Sequence, residues 1–158
     1  MLVRFVVLFV ISLFATVGAV AQSSPQFSKQ NFNYAEWTKG KFSEVVTVTN
    51  AGKLIFLSGT GAESEEDGKI LHKDDFMAQC RFAYEKIKKM LERQGATMND
   101  VVRIVTYTTD VRNFQDALKC RAEAFGGTPI PASTFLTVSQ LAWPLMAIEI
   151  DVTAALPK

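Results

Sequence analysis

The chain has 158 residues, and its 17 Lys and Arg residues nearly balance its 16 Asp and Glu residues, which leaves a formal net charge of +1 at pH 7. This length suits one domain of ordinary size. The charge balance argues against a nucleic-acid partner, because nucleic-acid-binding proteins normally have a basic excess or a clustered basic face. The lysine-rich stretch 86–89 lies between Glu85 and Glu92, as is typical of a solvated helix face.

The first 21 residues have the features of a secretory signal peptide. Arg4 is the only charged residue there, an apolar run follows over 5–17, and Ala19 and Ala21 have the spacing that signal peptidase accepts. The apolar run is short for a membrane anchor. We expect cleavage after Ala21, export to the periplasm or the medium, and no stable membrane association afterwards. Removal of 21 of the 158 residues leaves 137, with equal numbers of acidic and basic residues.

The first part of the exported chain is expected to differ from the rest. Residues 22–41 combine polar and aromatic residues without a period, which indicates an irregular or partly disordered arm. Alternation over 46–49, a turn at 50–52 and an apolar run over 53–58 then predict a β-hairpin.

Two helices are predicted after this hairpin. Asp74 or Asp75 can cap the first, in which apolar residues recur at intervals of three and four from Phe76 until Gly95. The second helix is predicted over 113–125. Further strands are predicted over 101–109, 134–138 and 145–152.

The resulting order β-β-α-β-α-β-β predicts an α+β domain with one mixed sheet and two helices on one of its faces. The other face must meet solvent or another subunit. Because Ile55, Leu57, Val105 and Tyr107 would place apolar groups on both faces, a subunit interface is the favoured interpretation.

Cys80 and Cys120 are the two cysteines of the chain. An exported protein can form a disulfide between them if their Cα atoms lie within about 7 Å. Each also falls on the apolar side of a predicted helix, so two buried thiols remain the alternative. Their spacing matches no metal or redox motif, and the single His72 has no neighbouring His or Cys that would indicate zinc. No metal site is predicted.

Two polar residues in the last third of the chain are candidates for function. Pro131 fixes its own φ and favours an extended Ile130, so the entry into the predicted strand 134–138 is stiff and Ser133 sits in a pre-set place. Glu149 lies between Ile148 and Ile150 in an apolar strand. Its carboxylate either points to solvent on the alternate face of the strand or lies in a pocket.

Five stretches in the same order resemble the Rid family, also called the YjgF family. They are the runs 54–59, 75–81, 95–102 and 107–114, and the pair Pro131-Ala132 together with the closing Ile148-Glu149-Ile150. The resemblance extends over nearly the whole chain from about Phe42. Residues 42–158 are therefore expected to form a Rid-like domain.

The resemblance implies a chorismate-mutase-like α+β fold and a homotrimer with small-molecule pockets between its subunits. For the best-known branch of the family it implies hydrolysis of reactive 2-imino and enamino acids to 2-oxo acids and ammonia, without any cofactor. Other members are described as endoribonucleases. The resemblance further implies that Ser58, Gly59 and Phe135 contribute to substrate binding.

The family's catalytic site shows where this chain departs from its relatives. An arginine there binds the substrate carboxylate through two charge-assisted hydrogen bonds, while a glutamate positions the water that attacks the imine carbon. Ser133 stands at the arginine position, whereas the glutamate is retained as Glu149. Phe42 stands where the family has an aromatic residue, and Leu118 replaces an asparagine. Loss of one partner of a desolvated charged pair costs about 2–5 kcal/mol, enough to abolish useful turnover of a carboxylated imine.

Three functional hypotheses follow from this comparison. The first is an exported Rid-like trimer that binds a neutral or weakly polar metabolite, because the single hydroxyl of Ser133 suits a neutral ligand better than an acid. The second is an imine or enamine hydrolase that uses Glu149 and a replacement for the arginine, namely a Lys or Arg from a neighbouring subunit. Arg103 and Arg112 are candidates, with a surface position as the alternative for both. The third, an endoribonuclease, is the least favoured because of the balanced charge and the predicted export.

Overall fold

A computed structural model describes residues 25–158 of the chain. The predicted signal peptide and its cleavage site lie outside the described residues. Within the described range, no helix is both long and apolar enough to cross a membrane.

Two α-helices and six strands form the domain over the described residues, and their order agrees with the prediction except for one additional strand at the start. The elements are β1 (Ser28–Phe32), β2 (Val45–Thr49), β3 (Lys53–Thr60), α1 (Phe76–Arg93), β4 (Val101–Thr108), α2 (Phe114–Phe125), β5 (Ala132–Thr137) and β6 (Ile148–Leu156).

The main sheet has four strands in the order β3-β6-β4-β5, in which β5 runs parallel to β4 and the other neighbours are antiparallel. Both helices pack on the same face of this sheet. The core between them contains Ile87 and Leu91 of α1, Phe125 of α2, and Ile150 and Val152 of β6. The predicted α+β architecture, a mixed sheet with two helices on one face, is confirmed.

Helix α1 forms as its sequence predicts. The Asp75 carboxylate accepts a hydrogen bond from the Ala78 amide at 2.9 Å, which satisfies one of the free amides of the first turn. Its apolar stripe, including Ala83 and Ile87, is buried against the sheet. Gly95 then takes a φ of +75°, and this left-handed conformation leads the chain out of the helix.

The N-terminal arm differs from the expectation of an irregular segment. Residues 28–32 form β1, which pairs antiparallel with β2 from Ser28–Thr49 to Phe32–Val45. β2 and β3 therefore do not form the predicted hairpin, and β3 pairs with β6 instead. The polar sequence of β1 has no alternation that would reveal a strand, so its conformation depends on pairing with β2 and on the side chain of Lys29, which donates to the carbonyl of Val101 at 3.3 Å.

The two cysteines form a disulfide that joins α1 to α2. The Cα atoms of Cys80 and Cys120 are 6.4 Å apart, and both residues are buried in the core. Of the two alternatives that the sequence leaves open, the structure contains the disulfide.

The sheet face opposite the helices is uncovered, and we call it the open face. Side chains alternate along a strand, so Leu54 and Phe56 of β3 and Leu136 of β5 point to this side, whereas Ile55 packs in the core. Leu54, Phe56 and Leu136 are 55%, 74% and 45% exposed. The expectation of apolar groups on both faces is confirmed, because Ile55 and Leu57 pack on the core side whereas Val105 and Tyr107 belong to the open face.

Candidate functional site

A cavity of about 380 Å³ lies between helix α2, strand β5 and the segment that connects β1 to β2. We call it the α2 cavity. Its walls are mostly aromatic and aliphatic, formed by Trp37, Phe42, Phe114, Leu118 and Phe135. The volume falls within the range of about 300–1,000 Å³ that is typical of small-molecule pockets.

Local packing explains how this cavity is shaped. Phe135 points toward α2, where its ring meets the edge of Phe114 at a centroid distance of 5.1 Å. Phe42 and Trp37 form a second edge-to-face pair at 5.9 Å. The connecting segment is fixed to the chain before β5, because the amide and the hydroxyl of Ser43 both donate to the carbonyl of Ile130, at 3.0 and 2.7 Å. Three separate parts of the sequence therefore define one cavity.

Arg121 of α2 is a buried charged group that lines the α2 cavity. Its Nη1 donates to the hydroxyl of Ser133 at 2.6 Å and its Nη2 donates to the carbonyl of Lys41 at 2.8 Å. The residue is only 7% exposed, and its Nε has no hydrogen-bond partner. Among the described residues it forms no ion pair with a carboxylate.

Burial lowers the pKa of the Arg121 guanidinium, because desolvation disfavours its charged form. An arginine nevertheless keeps its proton in a protein, since its ordinary pKa lies far above neutral pH. The α2 cavity therefore has a buried positive charge whose two hydrogen-bond partners are neutral.

Arg121 was not among the functional residues predicted from the sequence, which offered two other arginines as replacements for the family arginine. Arg103 is an exposed residue of β4, and Arg112 binds the carboxylate of Asp110 at the surface, with its Nε 2.8 Å from Oδ2. Neither lies against Ser133. The sequence did contain a signal that Arg121 is buried. It is a cationic residue beside Ala117 and Leu118 on the apolar side of a helix, where a charged side chain is unusual.

Glu149 lies in a different place, on the open face beside a β-bulge of β3. Leu57 pairs with Val152 and Thr60 with Ile150, so one extra residue is inserted between them. Ser58 and Gly59 occupy this bulge. A Cβ atom on Gly59 would lie 1.8 Å from Oε1 of Glu149, so only glycine permits this close approach of the carboxylate to the backbone.

The pKa of Glu149 is raised above the ordinary glutamate value. Desolvation by burial is the largest cause, and the negative charges of Asp151 and Glu63 act in the same direction. Within residues 25–158, the Glu149 carboxylate accepts no hydrogen bond that would favour its ionised form. A carboxylate in these surroundings is a stronger base than an exposed one.

The predicted site residues therefore fall into two groups that one chain does not bring together. Phe42, Ser133 and Phe135 line the α2 cavity on the helix side of the sheet. Ser58 and Gly59 lie with Glu149 at the bulge and on the open face. The separation follows from strand geometry, because Ser133 is aligned with the core residue Ile104 and Glu149 with Tyr107 of the open face.

These features place the protein in the class of single α+β domains. It has a mixed four-stranded sheet, two helices on one face of that sheet, and a cavity of small-molecule size beside the parallel edge strand. A model of the Endoribonuclease L-PSP family matches residues 26–156. The RutC family protein YjgH of Escherichia coli is 33% identical over 109 residues, which cover 68% of this chain and 79% of YjgH.

Solved structures agree with these sequence matches. The Rid-family protein YyfB of Yersinia pestis has a TM-score of 0.72 and 28% identity, over 82% of this chain and 98% of YyfB. RidA of an Antarctic Psychrobacter species has a TM-score of 0.60 and 25% identity, over 75% of this chain and 90% of RidA. The chain belongs to the Rid family, also called the YjgF family, as the sequence motifs predicted.

Proposed function

We propose that this chain is an exported Rid-family protein that binds a small molecule in a pocket completed by a second subunit. One observation supports the binding site above all. The α2 cavity brings together Phe42, Ser133 and Phe135, the positions that the family resemblance connects with ligand binding, although they come from separate parts of the sequence.

The positions of Ser133 and Glu149 support a pocket between subunits. The two side chains lie on opposite faces of one sheet, so a site that uses both must take Ser133 from one subunit and Glu149 from another. The open face provides a surface for such an assembly, because Leu54 and Phe56 are apolar and exposed. A homotrimer, the assembly implied by the family, satisfies both requirements.

Export is supported by the disulfide between Cys80 and Cys120. Disulfides persist in oxidising compartments and are rare in the cytosol. The apolar run and the Ala19 and Ala21 spacing of the N-terminus point to the same compartment.

Binding is tested with the mature protein, which begins at Gln22. The protein is equilibrated with a metabolite extract, and bound molecules are identified by mass spectrometry after release. We expect specific enrichment that is lost in Leu118→Trp, because the larger side chain fills the α2 cavity. Val111→Trp is the matched control, since Val111 is 63% exposed and does not line the cavity. No enrichment, or enrichment that Leu118→Trp leaves unchanged, contradicts the proposed site.

Hydrolysis of imines or enamines is the second candidate function, and Glu149 is the observation that favours it. Its carboxylate has a raised pKa and lies against the Gly59 backbone, where a bound water can be deprotonated or positioned. In this candidate Arg121 replaces the missing family arginine.

The signature of this reaction is faster ammonia release from freshly generated 2-iminopropionate. Glu149→Gln should lower the rate about 100-fold or more, since positioned general bases contribute about 10²–10⁴-fold. Glu66→Gln, a change in an exposed loop, should keep the wild-type rate. The rate should rise with pH as Glu149 ionises, with a midpoint above the ordinary glutamate pKa. A wild type that does not accelerate the reaction excludes this candidate.

A further inference from the structure

The buried guanidinium of Arg121 lacks the partner that such a group normally requires. A buried charge is costly unless it is paired with an opposite charge or fully hydrogen-bonded. Arg121 has five N–H donors, yet it donates only to the Ser133 hydroxyl and the Lys41 carbonyl. Nε is buried and unpaired. The arrangement leaves the positive charge available to an incoming anion.

The rest of the α2 cavity increases this positive potential. Lys41 also lines the cavity, where its Nζ lies 5.4 Å from the centroid of the Trp37 ring. The described residues that line the cavity include no Asp or Glu. Within one chain, two cations and no acid favour an anionic ligand over a neutral or cationic one, and two cations still outnumber the one carboxylate if a neighbouring subunit contributes Glu149.

Ser133 is suited to bind the same anion. Its oxygen accepts the hydrogen bond from Nη1 of Arg121, so its own hydrogen remains free to be donated to a ligand oxygen. Arg121 and Ser133 can therefore contact one carboxylate together.

The walls determine the other part of the ligand. Four rings, those of Trp37, Phe42, Phe114 and Phe135, border the cavity, together with Leu118. Aromatic rings pack well against other aromatic rings in edge-to-face or offset geometry, as the pairs Trp37–Phe42 and Phe114–Phe135 do here. A ligand with a flat apolar body fits such walls better than a small aliphatic acid.

We propose that the α2 cavity selects an aryl carboxylate and that Arg121, supplied by helix α2, is the residue that binds its carboxylate. This inference rests on the proposed function, because it names the ligand class of the same cavity. An anionic ligand replaces the neutral ligand that Ser133 alone suggests. The positive charge that binds it comes from Arg121, twelve positions before Ser133 in the chain.

The test is a calorimetric titration of the mature protein with three probes. 3-Phenylpropanoate has the carboxylate and the ring, 3-phenylpropanamide has the ring without the charge, and propanoate has the charge without the ring. We expect the phenyl acid to bind at least about 30-fold more tightly than its amide, the lower end of the range for a desolvated charged partner. Propanoate should bind more weakly than the phenyl acid.

Variants assign this selectivity to Arg121. Arg121→Met should reduce the affinity for 3-phenylpropanoate to that for the amide, with the native circular dichroism spectrum as the check on folding. Arg112→Met is the matched control and should retain the wild-type preference, because Arg112 is paired with Asp110 at the surface. If Arg121→Met does not fold, the comparison of acid and amide on the wild type still decides the ligand class.

The possible failures can be told apart. Equal affinity for the phenyl acid and its amide overturns the inference and leaves small-molecule binding intact. Equal affinity for propanoate and the phenyl acid overturns the assignment of an aromatic body. If none of the probes binds while the metabolite extract still yields a ligand that Leu118→Trp excludes, only the inference fails. If the extract also yields nothing, the proposed function fails with it.

Discussion

Arg121 and Ser133 act as a pair at the scale of single residues. The family arginine begins the strand that corresponds to β5, whereas here α2 supplies the guanidinium and β5 supplies a small hydroxyl that accepts its hydrogen bond at 2.6 Å. A second long cationic side chain at position 133 would compete with Arg121 for the same volume. The small side chain of Ser133 therefore leaves room for the guanidinium of Arg121.

We predict that Ser133→Arg destabilises the protein. Two guanidinium groups would share a cavity without an acidic partner, and Arg121 would lose its hydrogen bond, for an expected cost of about 1–3 kcal/mol. Urea unfolding of the mature protein measures this change. The addition of Arg121→Leu should recover part of the loss, because it removes one of the two charges, and the double-mutant cycle gives the coupling between the two positions. A Ser133→Arg variant as stable as the wild type would contradict this view of the pair.

At the scale of elements, the disulfide fixes the helix that supplies Arg121. Cys120 directly precedes Arg121 in α2, and its bond to Cys80 fastens this helix to α1. The aromatic contact between Phe114 and Phe135 fastens the start of the same helix to β5. The guanidinium is thus placed by contacts on both sides of α2.

The double variant Cys80→Ala, Cys120→Ala should be less stable than the wild type by about 2–4 kcal/mol, because the bond closes a loop with a sequence separation of 40. Thermal unfolding should show a decrease in Tm on the order of 10 °C. Wild-type protein measured with a reducing agent should behave like the double variant, whereas the double variant itself should not respond to the reductant. An oxidised wild type with the same Tm as the double variant would contradict this role of the bond.

The whole molecule is organised by the contrast between the two faces of its sheet. One face is covered by both helices and contains the core, whereas the open face presents Leu54, Phe56 and Leu136. Glu149 lies on this same open face. Self-association through the open face would therefore cover apolar area and bring Glu149 toward a neighbouring subunit.

Phe56→Glu should weaken this association, because Phe56 is 74% exposed in the single chain and a buried, unpaired carboxylate is costly. Light scattering coupled to size exclusion should give about three times the chain mass for the wild type, as expected for the family, and a smaller mass for the variant. Val111→Glu, an exposed residue at the start of the segment before α2, should keep the wild-type mass. A monomeric wild type would contradict the proposed pocket between subunits.

The sequence by itself determined the helices, the central strands and the family. Helix α1 was predictable because its apolar period and the Asp75 cap are local signals, and the family was predictable because its motifs are contiguous stretches. The retained Glu149 and the substituted Ser133 were found in the same way. The export prediction also comes from sequence and stays a prediction.

Only the tertiary structure decided which distant residues meet. β1 has no period of its own and exists through its pairing with β2. The disulfide depends on a Cα distance of 6.4 Å between two helices, and the pairing of Arg121 with Ser133 depends on how α2 lies against β5. The position of Ser133 and Glu149 on opposite faces of the sheet could likewise be established only from the strand register. Such contacts join residues far apart in the chain, and neither period nor spacing in a single sequence records them.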